Sequence, residues 1–322
     1  MSRVLTGDKL VESIRNRAMI PNDTSVYTDE NLLDIANEEI DVQLLDKLLS
    51  LHEEHLTVPV EIARNQDGVY EIPYRAVGNK IRDIALISGS TIYEMTQVSI
   101  GELSDFTLDS EAYTNGFDKF YIEHNKIKLI NPTRSYEKVR IYFHIRPNYL
   151  TKLEKAATIS SIVVDDLNDE VTYNFTSTPT AFNASILYDF VGAKTPNKIK
   201  AYDIAPKEVN TGLNFVKFNK SDVESVIDEV IVGDYICVAE ESPVPNIPTE
   251  MHPVLAQLVA VHVLEAMGDT EGLANAEKRL NKMITSVMQL VDDRVELAPR
   301  KIRPRNGTLA EGRYGSYRRR GR

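Results

Sequence analysis

Apolar positions fall into two periodicities along the chain. Leu10, Val11, Ile14 and Ala18 recur at helical spacing behind Thr6, a candidate N-cap, and Pro21 ends that segment. A second start signal, Thr28-Asp29-Glu30, precedes Leu33, Ala36, Ile40, Leu44, Leu48 and Leu51, which step by three or four. Leu32, Ile35, Leu45 and Leu49 form a neighbouring stripe, so the pattern predicts one long helix over roughly 29–55, apolar on more than one side.

The period then changes to two. Thr57 to Arg64, Val69 to Ile72, Ile81 to Ile87 and Ile92 to Val98 read as strands, separated by the turn chemistry of Asp67-Gly68 and Ser88-Gly89-Ser90. His124-Asn125 between Tyr121-Ile122 and Lys126 to Leu129 predicts a hairpin. From Lys138 to Arg146, Val139, Ile141, Phe143 and Ile145 share one face. Further strands are expected at Ile159 to Val164, Val171 to Phe175, Ile186 to Phe190, Leu213 to Phe218 and Val230 to Val238.

Pro243, Pro245 and Pro248 predict a stiff linker. Behind it, a helix over 250–267 is polar only at Gln257, His262 and Glu265, one wedge of its surface, so the rest must be covered. Leu255, Leu258, Val259 and Val263 are expected to pack against neighbouring subunits or the N-terminal helices. Gly268-Asp269-Thr270 gives a tight turn and a new N-cap. The next helix carries Leu273, Ala276, Leu280, Met283, Val287 and Leu290 as a heptad seam for an antiparallel partner. The expected fold class is α+β. N-terminal helices (1–56) and a C-terminal helical hairpin (242–297) form a bundle, a β-rich region (57–241, divisible into 57–150 and 151–241) is inserted, and an extended basic tail (298–322) follows.

Composition adds one strong asymmetry. At 322 residues, 42% hydrophobic and 26% charged, the chain has the makings of a packed core. Its net charge of -11 divides into +8 for residues 298–322, with nine Arg or Lys against Glu311, and -19 for the remainder. Such a body repels nucleic acid while the tail seeks an anionic partner. The tail cations are nearly all arginine, which grips carboxylate and phosphate bidentately. Arg300, Lys301, Arg303, Arg305, Arg313, Arg318, Arg319, Arg320 and Arg322, with Tyr314 and Tyr317, are the candidate docking residues. The N-terminus shows no secretory signal pattern. The apolar stretch 254–267 is too broken to span a bilayer, so no membrane partner is expected. The single cysteine, Cys237, excludes an internal disulfide framework and reads as an inert buried thiol.

No P-loop, dinucleotide loop, zincin motif or nucleophile elbow occurs, so neither an enzyme nor a cofactor site is expected. His52-Glu53-Glu54-His55 lacks the i, i+4 zincin spacing, and polar residues closing a helix are the plainer reading. Asp165 to Glu170 lacks the glycine and spacing of an EF-hand loop and reads as a polar hairpin turn.

Three segments resemble the head–tail connector, or portal adaptor, proteins of tailed bacteriophages. They are Ser13 to Pro21 with Tyr27 to Glu39; Ile72-Pro73-Tyr74-Arg75-Ala76-Val77-Gly78-Asn79-Lys80-Ile81-Arg82-Asp83; and Gly233-Asp234-Tyr235-Ile236 through Glu241 to Pro248 into His252 to Ala256 and Glu265 to Asp269. The strand Arg140 to Pro147 adds to them. The resemblance implies a structural virion protein assembled in the host bacterial cytoplasm and placed at the head–tail junction. It implies a homo-oligomeric ring, commonly a dodecamer, docked on the portal protein through its C-terminal tail and contacting tail proteins. DNA would pass through its channel, without specific binding, during genome ejection. The β-rich middle is larger than in the minimal helical members. The competing reading is a nucleic-acid-binding protein acting through the arginine tail, which would call for a basic patch on the body as well.

Overall fold

The computed structural model describes residues 4–21, 26–102, 118–130, 135–194, 198–224 and 226–291. It is a mixed α+β structure with a large β-rich portion. Helix α1 (Gly7–Ala18) follows extended Thr6, whose hydroxyl does not cap it. Glycine is needed at position 7, where a Cβ would sit 2.3 Å from the Thr151 carbonyl oxygen. The Gly7 N–H bonds the Pro243 carbonyl at 2.8 Å, so three distant segments meet there.

Helix α2 (Asp29–Glu39) is capped by Thr28, whose hydroxyl accepts from the Asn31 N–H at 3.2 Å. It passes through a π turn (Ile40–Leu44) into α3 (Leu45–His52) and a 3₁₀ turn (Glu53–His55). The wider turn explains the stripe geometry. Leu32, Ala36, Ile40, Leu44 and Leu48 are spaced by four, which on a 3.6-residue helix drifts off one face. The π turn absorbs that drift, and all five are at most 2% exposed.

Strands β1 (Thr57–Ala63), β2 (Val69–Glu71), β3 (Ala76–Ser88), β4 (Thr91–Glu94), β5 (Thr96–Gln97), β6 (Lys119–Glu123), β7 (Lys126–Ile130) and β8 (Lys138–Ile145) make two four-stranded sheets, ordered β1-β8-β3-β4 and β2-β7-β6-β5. The run expected from Ile92 to Val98 is thus two short strands in different sheets. The β6–β7 hairpin turns at His124, in the left-handed region at φ 55°. One apolar cluster, including Ile84, Leu86, Val139, Ile141 and Phe143, lies among these strands.

After β9 (Tyr149–Leu150) come β10 (Ala157–Asp165), β11 (Glu170–Phe175), β12 (Tyr188–Val191), β13 (Ile199–Ile204), β14 (Glu208–Asn210), β15 (Phe215–Asn219), the short α4 (Lys220–Val223) and β16 (Tyr235–Val238). They form a seven-stranded sheet, β13-β12-β16-β10-β11-β15-β14. Its core is aromatic: Tyr173, Tyr188, Phe190 and Phe218 are buried, the Phe218 ring centroid lies 5.2–6.2 Å from those of the other three, and Tyr173 and Phe190 are 5.0 Å apart. The strand expected from Val230 is confined to 235–238, because the chain at 226–233 turns instead.

The proline-rich segment is not a solvent-exposed linker. After β17 (Glu241–Ser242), which pairs in parallel with β9, residues 242–247 are all buried, with Val244 and Ile247 at 0% exposure. Prolines carry no N–H to desolvate, which eases burial of such a strap. His252 fastens it. The Leu5 N–H donates to its Nδ1 at 3.2 Å, and its Nε2 meets the Ile247 carbonyl at 3.2 Å. The neutral Nε2–H tautomer satisfies both contacts, whereas a proton on Nδ1 opposes the Leu5 N–H. Burial holds the ring's pKa down, at about 4. A histidine depressed in the folded state contributes stability that is present above its unfolded pKa and lost as pH falls. Unfolding free energy should therefore drop by about 3 kcal/mol in total between pH 6.5 and 4 from this residue. Denaturant titrations across that window should show the slope in the native protein and its loss in His252→Gln; an unchanged slope in the variant would refute the assignment.

Helix α5 (His252–Met267) ends at Gly268, φ 72°, and α6 (Thr270–Val291) begins with Asp269 accepting from the Gly272 N–H at 3.0 Å, so Asp269 is the cap within the expected turn. Helix α5 contacts α1, α2 and α6, and one apolar cluster joins Leu10, Ile14, Leu32, Leu44, Leu255 and Leu280. Gln257, expected on a polar wedge, is 2% exposed. Arg17 donates to its Oε1 at 2.7 Å and its Nε2 donates to the Ala276 carbonyl at 3.3 Å, so it is a buried polar bridge from α5 to α1 and α6.

Candidate functional site

The most heavily desolvated charges lie where the sheets meet the strap. Arg75 sits within a turn closed by the Ala76 N–H on the Pro73 carbonyl at 2.9 Å. Its Nη1 contacts Asp189 Oδ1 and Oδ2 at 3.1 and 2.9 Å and Asp203 Oδ1 at 3.3 Å, and its Nη2 donates to Asn148. Asn148 donates to Asp189 Oδ2 at 2.6 Å and to the Glu241 carbonyl at 3.0 Å. The backbone N–H groups of Asp203 and Glu240 complete the shell around Asp189 at 2.9 and 3.0 Å. Both residues have positive φ, 58° and 68°, so the carboxylate holds two strained backbone positions in place. The side chains of Arg75 and Asp189 are 3% and 0% exposed. Burial pushes the Asp189 carboxyl above the usual carboxylate range, opposed by Arg75 and the surrounding donors. Such an arrangement contributes geometry more than net stability: it fixes how β12, β13, the Arg75 turn and the strap sit together.

Beside the junction opens a cleft of about 190 Å3, lined among others by Asn37, Asp41, Tyr74, Arg146, Tyr149 and Glu240. The π turn places Asp41 at its wall, and burial raises that carboxyl's pKa. Tyr74 and Tyr149 are 67% and 49% exposed. Tyr149 donates to Asp34 at 2.5 Å. Partial burial and then hydrogen bonding to Asp203 raise the Tyr74 hydroxyl's pKa. Exposed tyrosines around a guanidinium are the side-chain types that dominate protein–protein contacts.

The residues singled out in the sequence are distributed as follows. The docking residues from Arg300 to Arg322 lie outside the described residues. Leu255, Leu258, Val259 and Val263 are 0%, 3%, 0% and 0% exposed. Their burial is supplied within one chain, by α1, α2 and α6, because three helices together cover the girth that a single antiparallel partner leaves open. His55 closes the 3₁₀ turn after α3, and no group of three potential metal ligands occurs among the described residues. Asp165 to Glu170 forms the β10–β11 turn. Cys237 is 1% exposed, and burial pushes its thiol well up. The Asp189 junction was not anticipated, although one signal existed: a lone carboxylate inside the apolar strand Tyr188-Asp189-Phe190-Val191. Among the described residues no helix is long and apolar enough to cross a membrane. Compared with known proteins, the chain matches no family model and no curated protein.

Proposed function

We propose that this chain is a structural subunit of a tailed-phage head–tail connector. In this reading it forms a ring, twelve-membered by resemblance, between portal and tail, and lines a channel for DNA. It offers tail proteins a platform, takes no cofactor and catalyses nothing. The terminal helices are its bundle, the β-rich region 57–241 an insertion, and residues 298–322 an extended arm for the portal.

One observation carries the proposal. The segments that resemble connector proteins are far apart in sequence yet bear on one another. Helices α1 and α2 pack on α5, which opens at His252, and the Arg146 N–H bonds the Arg75 carbonyl at 2.8 Å; Leu5 and Gly7, just ahead of the first segment, bond His252 and Pro243. A body of charge -19 outside the tail also suits a channel through which DNA slides without adhering.

Negative-stain microscopy of the purified protein, alone and mixed with the portal protein of the same genome, tests the reading. Closed rings that cap the portal are expected. A chain that leaves portals bare and instead retains DNA or RNA through its tail would establish the nucleic-acid-binding alternative.

A further inference from the structure

The turn between β10 and β11 is braced by hydrogen bonds and holds one leucine out into solvent. Leu167 at its tip is 96% exposed, and Val163 and Val164 behind it are 52% and 42% exposed. Asp165 Oδ1 accepts from the N–H groups of Leu167 and Asn168 at 3.0 and 3.3 Å, and its Oδ2 accepts from the Asn168 amide at 2.7 Å. From the adjoining α4, the Lys220 N–H donates to the Asp169 carbonyl at 2.9 Å and its Nζ pairs with Asp166 at 2.6 Å. A single exposed leucine is ordinary. A leucine held out on a hydrogen-bonded frame, with Val163 and Val164 on the two faces of the strand behind it and Asp165, Asp166 and Asp169 beside it, is a preorganised knob that loses little freedom on docking.

A complementary surface exists elsewhere on the chain. On α6, Arg279, Lys282, Ser286 and Leu290 are spaced by three, four and four, and so share one side. All four are exposed, Leu290 at 58%. Residues 278–291 contain no acid, and no ion pair among the described residues involves Lys278, Arg279 or Lys282. The positive charge is felt locally: Arg17 is held below the usual guanidinium range by burial and then by Arg279. The knob is apolar and acidic; the helix side is apolar and basic.

We infer that the β10–β11 tip of one subunit docks on the Arg279–Leu290 side of α6 in a second copy of this chain. The two surfaces are different, so the contact is head-to-tail, the kind that closes into rings. This inference rests on the ring reading and names its subunit contact.

Two variants test it: Leu167→Lys at the tip, which leaves the Asp165 and Asp166 bonds of the turn in place, and Arg279→Glu with Lys282→Glu on the helix. Sedimentation velocity on the full-length proteins should show each variant alone associating about tenfold or more weakly than wild type, with unchanged melting temperature. Mixed together, they should form heterodimers and nothing larger, because only one intact tip and one intact helix side can meet. As a second measurement, Leu167→Cys with Leu290→Cys in one chain should give a disulfide-linked ladder on oxidation, Cys237 being buried. Wild-type assembly by both variants, with no ladder, overturns the contact while leaving the ring reading standing. A wild-type chain that stays monomeric at every soluble concentration also overturns it, and portal binding then decides the ring reading separately.

Discussion

Asp189→Ala should lower the unfolding free energy by about 3–5 kcal/mol, the range for removing one partner of a buried ion pair. The substitution leaves the Arg75 guanidinium, 3% exposed, with one carboxylate, Asp203, beside Asn148 and the Tyr202 ring. It also strips the acceptor from the N–H groups of Asp203 and Glu240, whose positive φ values then have nothing to sustain them. The damage should be local to the junction first, so hydrogen exchange at residues 188–191, 199–204 and 235–242 should accelerate more than exchange in α5. Replacing both charges, Arg75→Met with Asp189→Leu, should recover the part of the loss that comes from the orphaned guanidinium but not the part from the Asp203 and Glu240 N–H groups, which still lack their acceptor. Urea denaturation of the two single variants and the double variant measures this as a cycle. A loss below about 1 kcal/mol for Asp189→Ala would mean that water reaches the junction and that the pair is not the lock described.

If the chain is a connector subunit as proposed, truncation after Leu297 should abolish portal binding while leaving the melting temperature unchanged. The segment removed carries +8 of charge, with Arg318, Arg319 and Arg320 consecutive. An arm that orders on binding must offset lost conformational freedom with charge-assisted contacts, which arginine supplies bidentately to carboxylates. Binding by the intact protein should therefore weaken as salt is raised. The three consecutive arginines should matter more together than singly. Co-sedimentation of intact and truncated protein with portal rings measures both effects. Equal binding by the truncated form would transfer portal recognition to the body, where the Tyr74, Arg146 and Tyr149 cleft would be the first place to look.

Much of the fold was legible because periodicity reports burial directly. The stripe from Leu10 to Ala18 and the alternation from Val139 to Ile145 mark which face meets the core, and so does the seam from Leu273 as far as Val287; Leu290, read as its last member, is instead 58% exposed, on the Arg279 side of the helix. Turns at Gly68, His124 and Gly268 fall where Gly, Asn or His tolerate a left-handed backbone. The π turn was half-visible, in the four-residue spacing from Leu32 to Leu48, but spacing alone does not say where a helix widens.

What the sequence determined by itself, then, was the local periodicity, the sites of most turns and the division of charge between an acidic body and a basic tail; each follows from neighbouring residues. Tertiary structure alone decided that the proline segment is a buried strap, that Gln257 is a buried bridge, and that Leu255, Leu258, Val259 and Val263 are covered within their own chain. It alone brought Arg75 and Asn148 to Asp189, and set an acidic apolar knob and a basic helix side on one molecule. The physical reason is that burying a polar group depends on partners distant in sequence. A carboxylate that needs a guanidinium 114 positions away leaves, in its own neighbourhood, only the sign of something missing.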